Sequence, residues 1–290
     1  MSTLVAKNWL LARLYEQDQV IVDCRFQLGK PEAGRQAYEA GHIPGAVYLD
    51  LEADLSGPVQ PHGGRHPLPD LEALENRLGQ AGIGPQTRVV AYDDQGGMYA
   101  ARLWWLLRYA GHEQVYVLSE GFSAWEAAGY PVNAEQQVVI PQTFTAHPQR
   151  GMWADVSEVR EASAAGTRGA LLVDSREAKR YIGEEEPIDA RAGHIPGAAN
   201  RFWKEVLDER GAWRSEAELR EHFADIIHEA EAGRDIIVYC GSGVSACPNV
   251  LALHNLGYTN VKLYPGSWSD WISYSENPIA VGEEENPGKA

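Results

Sequence analysis

The heptapeptide AGHIPGA stands at Ala40–Ala46 and again at Ala192–Ala198, which puts His42 and His194 152 residues apart. Its surroundings repeat with it. Each copy is preceded by an apolar run ending in Asp: VIVDCR reaches Asp23 and LLVDSR reaches Asp174. Each is followed by a second apolar run, RVVAYDD up to Asp93 and DIIVYCG up to Cys240. A helix-like stretch, a turn at Gly111 or Gly257, a short strand-like run and an aromatic segment then close both copies, GFSAW at Trp125 and SWSDW at Trp271. Seven identical residues inside flanks of the same order point to gene duplication. Short β-rich runs alternate with helical periodicity in each copy, which predicts two α/β domains, each a mainly parallel sheet flanked by helices. The expected division is 1–132 and 153–280 for the domains, with a linker over 133–152, rich in Pro, Gln and Thr, and an acidic, disordered tail over 281–290.

Bulk properties agree with this plan. A chain of 290 residues suits two domains of ordinary size, and a hydrophobic fraction of 44% suits full cores. The formal net charge of -16 speaks against nucleic-acid and anionic-membrane partners, while leaving room for a small anion in a locally positive pocket. Three cysteines, Cys24, Cys240 and Cys247, are too few for a disulfide scaffold and show no zinc-type spacing, which fits a reducing compartment. The opening MSTLVAKNWLLARLY reads as a charged helix rather than a signal peptide, and no apolar run is long enough to span a bilayer. The expected location is cytoplasmic.

The copies differ where chemistry belongs. In a parallel α/β sheet, ligands bind beyond the carboxyl ends of the strands. There the strand DIIVY delivers CGSGVSACPNVLALHNLGY. Gly241 and Gly243 let the backbone turn around the Cys240 sulfur, and the helix behind them turns free N–H groups and a positive dipole toward the loop. That setting stabilises a thiolate or persulfide. A small buried core residue is the plain alternative for Cys240, and it is the reading given to Cys24 and to Cys247, about two helical turns further on. In the first copy the matching loop is DDQGGMYAARLWWLL, with Asp93 in the cysteine's place. A carboxylate cannot carry a sulfane sulfur, so the first copy is expected to be silent. His42 and His194 occur in both copies and are read as structural.

Taken together, AGHIPGA after an Asp-ended strand, the loop CGSGVSA and the terminal GSWSDW resemble tandem rhodanese-type sulfurtransferases, from Trp9 to about Ile279. The resemblance implies an inactive first domain and a second domain whose cysteine carries sulfur. Phosphatases of the same superfamily use a Cys-x5-Arg loop. Here the sixth residue after Cys240 is Ala246, so the guanidinium that would grip phosphate is missing.

The resemblance also implies site residues. Family members that use thiosulfate have the loop Cys-Arg-Lys-Gly-Val-Thr, and those that use 3-mercaptopyruvate have Cys-Gly-Ser-Gly-Val-Thr. This chain, with Gly241, Ser242, Gly243, Val244 and Ser245, is similar to the second. Arg180 matches a family arginine that holds the donor. Arg191 is a candidate second arginine, and Ile182 replaces another. Ser242 and His66 match two members of an Asp–His–Ser relay, with Glu52 or Asp50 as the acid. The implied reaction is sulfur transfer from a small-molecule donor through a Cys240 persulfide to a thiol such as thioredoxin, or to cyanide, with no metal or organic cofactor. Thiosulfate:cyanide transfer is the alternative enzyme, and a non-catalytic binding or redox-sensing module is the alternative of another kind.

Overall fold

The structure is a computed structural model that describes residues 2–284. Its chain falls into two compact units, and the division is not a single cut. The first comprises residues 1–57, 68–149 and 209–213; the second comprises 58–67, 150–208 and 214–290. The segment Pro58–Pro67, inserted in the first repeat, thus belongs to the second unit. Residues 133–149 of the expected linker lie in the first unit, where Gln142 N–H donates to the Gly79 carbonyl (2.9 Å) and His147 N–H to that of Ala110 (2.8 Å).

The first unit holds a five-stranded parallel sheet built from β1 (Leu4–Val5), β2 (Gln19–Asp23), β3 (Val47–Tyr48), β4 (Arg88–Tyr92) and β5 (Val115–Leu118), in the order β1-β5-β4-β2-β3. The second holds β6 (Leu171–Asp174), β7 (Ala198–Asn200), β8 (Ile236–Tyr239) and β9 (Val261–Leu263), in the order β9-β8-β6-β7. These are the same four positions. The fifth is vestigial in the second unit, where Trp153 makes a single parallel bridge to Leu263 in the place that β1 takes beside β5. The opening residues differ from the expected helix: Leu4 and Val5 pair with Val117 and Leu118, and the helix starts at Lys7. Two residues are too few to show strand alternation, so pairing with a buried strand decides their conformation. No helix among the described residues is long and apolar enough to cross a membrane.

The repeated residues form one clamp, built twice. Arg25 donates to both carboxylate oxygens of Asp23 and to the Gly41 carbonyl (2.7 Å); Arg176 does the same with Asp174 and Gly193 (2.6 Å). His42 and His194 are fully buried, each with Nδ1 at the carbonyl of the tyrosine it stacks on: Tyr38 (2.7 Å) and Tyr181 (2.8 Å). Those tyrosines donate to Ala46 and Ala198. Trp125 and Trp271, both fully buried, close the pattern by donating to Pro131 and Pro278. AGHIPGA is therefore a packing motif, and both histidines are spent on it. At the chain's end, Gly282 N–H reaches the Ile182 carbonyl (2.8 Å) and Glu284 accepts from Gly197 N–H (2.6 Å). The rest of the expected tail, 285–290, lies outside the described residues.

At the carboxyl end of β4, Asp93 is buried and its carboxylate accepts four backbone N–H groups. Oδ1 takes those of Gln95 (2.9 Å) and Gly97 (2.8 Å); Oδ2 takes those of Tyr99 (2.7 Å) and Ala100 (3.0 Å). Burial pushes this carboxyl up while the four donors pull it back. The loop and the start of the helix Met98–Tyr109 thus enclose an anion that the chain itself provides. Asp93→Ala should lower the thermal midpoint by about 4–10 °C, since it strands charge-assisted donors in a buried site. Asp93→Asn should also lose stability, because its amide NH2 meets two of those donors. Unchanged midpoints in calorimetry for both variants would refute this role.

Candidate active site

β8 is buried along its whole length and ends at Tyr239, so Cys240 is the first residue beyond the strand, 1% exposed. Residues 240–246 form a loop, and the helix Cys247–Asn255 follows with Pro248 in its first turn, where the missing N–H costs nothing. The spacing had suggested Cys247 two turns into a helix. Instead the interval is the loop itself, and Cys247 opens the helix, fully buried, with its thiol 3.4 Å from the Gly243 carbonyl. Cys24 is buried in the first unit, and burial pushes its thiol up, with Asp23 and Asp93 adding to the effect. No cysteine is in a disulfide.

The segment after β9 ties the loop down. Cys240 N–H donates to Ser267 Oγ (3.1 Å), and Trp268 and Ser269 N–H donate to the carbonyls of Cys240 and Gly241 (2.9 Å each). Ser267 is the one non-glycine residue with positive φ (55°) among the described residues, and its hydroxyl donates to Tyr264 (2.8 Å), so several bonds hold a backbone that would otherwise be disfavoured. The two loop glycines do different work. Gly243 has φ of +75°, and a Cβ there would stand 2.2 Å from the Pro265 carbonyl oxygen. Gly241 has no such φ; a Cβ there would stand 2.9 Å from Nη2 of Arg65. Val244 is buried and Ser245 half-buried.

The guanidinium over Gly241 arrives with the strap Pro58–Pro67. His62 stacks on Tyr274 (centroids 4.0 Å apart) with Nδ1 2.7 Å from Ser273 Oγ. Gly63 N–H donates to Asp270 (2.7 Å) and Arg65 N–H to Ser269 Oγ (3.1 Å). This anchoring sets His66, 4% exposed, with Nδ1 2.8 Å from Ser242 Oγ. Ser242 is itself 7% exposed, so the pair is shielded from water and lies two residues from Cys240.

On the other side stands Arg180. Its Nη2 donates to Glu186 (2.6 Å) and to Asp189 Oδ2 (3.1 Å), while the other oxygen of Asp189, Oδ1, is ion-paired with Arg65. Glu186 also accepts from Arg176 (3.3 Å). Glu186 and Asp189 thus hold the cations in place, and their side chains are only 4% exposed. Burial pulls the Arg65 guanidinium down, the Cys240 sulfur opposes this, and Arg180 adds to it. Arg191 is exposed; its backbone carbonyl accepts from the Trp268 indole (2.8 Å). Ile182 packs against the second core. Asp50 and Glu52 lie in the first unit, where Asp50 accepts from Tyr48 OH (2.9 Å) and from the N–H groups of Glu52 (2.8 Å) and Ala53 (2.9 Å).

Of the residues singled out from the sequence, Cys240, Ser242, His66 and Arg180 stand together at this loop, and Arg65, Glu186 and Asp189, which were not singled out, stand with them. The only signal for the two acids was the run EEEPID ahead of AGHIPGA, which reads as a solvated charge run. Arg65 adjoins His66 in GGRHPLP, but nothing in that pattern shows which way it faces.

Comparison with known proteins agrees with this architecture. The family of the rhodanese-like domain matches residues 6–128 and 155–274. A probable 3-mercaptopyruvate sulfurtransferase of Pseudomonas aeruginosa is 39% identical over 282 residues, covering 97% of this chain and 98% of its own. A thiosulfate sulfurtransferase of Cricetulus griseus is 33% identical, covering 93% and 90%. The crystal structure of SseA from Escherichia coli, a 3-mercaptopyruvate sulfotransferase, superposes with a TM-score of 0.81 at 34% identity, covering 93% of this chain and all of that one. With two copies of one domain, a cysteine at the end of the second copy's central strand and matches along nearly its whole length, the chain belongs to the rhodanese family and is a sulfurtransferase.

Proposed function

We propose that the chain takes sulfur from 3-mercaptopyruvate onto Cys240 and passes it to cyanide or to a thiol, either a small one or that of a protein such as thioredoxin. The observation that carries this reading is the buried Ser242 Oγ to His66 Nδ1 contact of 2.8 Å beside Cys240. A thiolate attacking the donor's sulfur forms an S–S bond and breaks the C–S bond, whose electron pair leaves on carbon as the enolate of pyruvate. That enolate needs a proton. Ser242 supplies it and is reprotonated from His66, leaving Cys240 as a persulfide and releasing pyruvate. Sulfite leaving thiosulfate needs no such proton. The second nucleophile then attacks the outer sulfur and restores the Cys240 thiolate.

Charge supports the same donor. Residues Gly241 to Ser245 are uncharged, and Arg65 and Arg180 are already matched by Glu186 and Asp189. A monoanionic keto acid suits such a loop better than a dianion does. Arg180 is assigned to the donor's carboxylate, with Arg191 joining from the rim, and backbone N–H groups from Gly241 to Ser245 cradle the persulfide. Asp93 fills the matching position of the first unit, which makes that unit a scaffold. Three buried cysteines, none of them in a disulfide, support a reducing, cytoplasmic setting. Relatives described as thiosulfate sulfurtransferases make thiosulfate the rival donor.

Treatment with 3-mercaptopyruvate should add one sulfur to the intact mass, and the addition should be absent in Cys240→Ser; a sulfur retained by that variant would remove Cys240 from its role. In steady-state assays, kcat/KM should favour 3-mercaptopyruvate over thiosulfate. Arg180→Ala should lower the mercaptopyruvate value about ten- to a hundredfold. The double change Gly241→Arg with Ser242→Lys should move preference toward thiosulfate. A wild-type preference for thiosulfate would replace the proposed donor with its rival.

A further inference from the structure

We infer that Asp189 is a specificity-determining residue: its carboxylate stands where the anionic group of a sulfur donor would bind and weights the site against donors with two negative charges. The inference rests on the mercaptopyruvate reading above, in which the donor is a monoanion. Three polar atoms lie nearest the point over Gly241 where a side chain would begin: Arg65 Nη2 at 2.9 Å, Arg180 Nη2 at 3.6 Å and Asp189 Oδ2 at 3.7 Å. Gly241 adjoins Cys240, so a donor whose sulfur meets Cys240 has the rest of its body near this point. Two of the three atoms attract an anion there, and the third repels it.

Asp189 uses its two oxygens as a bound anion would. Oδ1 is ion-paired with Arg65, and Oδ2 accepts from Arg180 Nη2 (3.1 Å), so one carboxylate spans both guanidiniums. Its side chain is only 4% exposed, which leaves its charge weakly screened by solvent. Glu186 is committed elsewhere. It accepts from Arg176, from Arg180 and from the backbone N–H groups of Ile188 (3.1 Å) and Asp189 (3.0 Å), and so belongs to the frame. Arg176 is matched by Asp174. Four charged groups remain, the guanidiniums of Arg65 and Arg180 against the carboxylates of Glu186 and Asp189, and their charges cancel. Any negative charge on the donor is then in excess among these groups, and a dianion meets the repulsion of Asp189 twice over in a largely buried setting. Neutralising Asp189 would leave one cation unmatched, which favours the second charge of a dianion.

Asp189→Asn keeps the shape of the side chain and removes its charge. With cyanide as the common acceptor, the ratio of kcat/KM for thiosulfate over 3-mercaptopyruvate should rise about ten- to a hundredfold in this variant, chiefly through a lower KM for thiosulfate. Asp189→Glu restores the charge and should bring the ratio back toward the wild-type value. The ratio does not depend on how much of a variant is folded, so instability cannot imitate the result. Equal losses on both donors in Asp189→Asn would make Asp189 a support for the two arginines alone, and a falling ratio would mean that its charge favours the dianion. Either result overturns the inference while leaving the donor assignment standing. A wild-type preference for thiosulfate would overturn the mercaptopyruvate reading, and a rise of the ratio in Asp189→Asn would still support the weighting by Asp189.

Discussion

Backbone N–H groups gather where the central strand of a parallel sheet stops and the next helix starts, and negative charge has to meet them. The first unit meets this demand permanently. Asp93 places a carboxylate among four N–H donors, each within 3.0 Å, and so satisfies them from within the chain. The second unit puts Cys240 at the same position and lets a seven-residue loop lead into the helix. A thiol can gain and lose a sulfur atom at that spot; a carboxylate cannot. The two loops differ in which side chain follows the tyrosine that ends the strand.

Everything around that loop keeps it still. Asp174 and Arg176 pin the Gly193 carbonyl, so the AGHIPGA segment is held against the end of β6. A buried ion pair of this kind adds little net stability, because desolvation offsets its Coulombic gain, but removing either partner would leave a charge stranded. The pair, built twice with the same partners, therefore acts chiefly to specify geometry. The bonds from Ser267, Trp268 and Ser269 complete the frame and account for the one unusual backbone angle outside glycine. Reactive groups held by packed neighbours do not need to be reorganised when the donor arrives.

The strap brings side chains of the first repeat into the second unit. A ten-residue piece of the first repeat carries both the histidine bonded to Ser242 and an arginine that leans over Gly241. The pocket's cations are balanced by Glu186 and Asp189, so the strap adds direction more than net charge.

The sequence by itself determined the two-domain α/β plan and the contrast between Asp93 and Cys240 at matching places in the two copies, while the relay of Ser242 and His66 came from the family resemblance. The plan and the contrast were legible because they rest on local backbone rules: strand runs ending in Asp, a glycine-rich loop before a helix, and a motif that recurs 152 residues later. The edge strand Leu4–Val5 escaped that reading, since only its partner Val117–Leu118 makes it a strand. Tertiary structure alone decided which charges meet at the loop. Arg65 and Asp189 are 124 residues apart, and no periodicity marks either one. Arg180 and Arg191 look alike in sequence, yet one is held between two buried carboxylates and the other is exposed. A long charged side chain can point into a pocket or into water from the same stretch of backbone, and only the packing around it settles which.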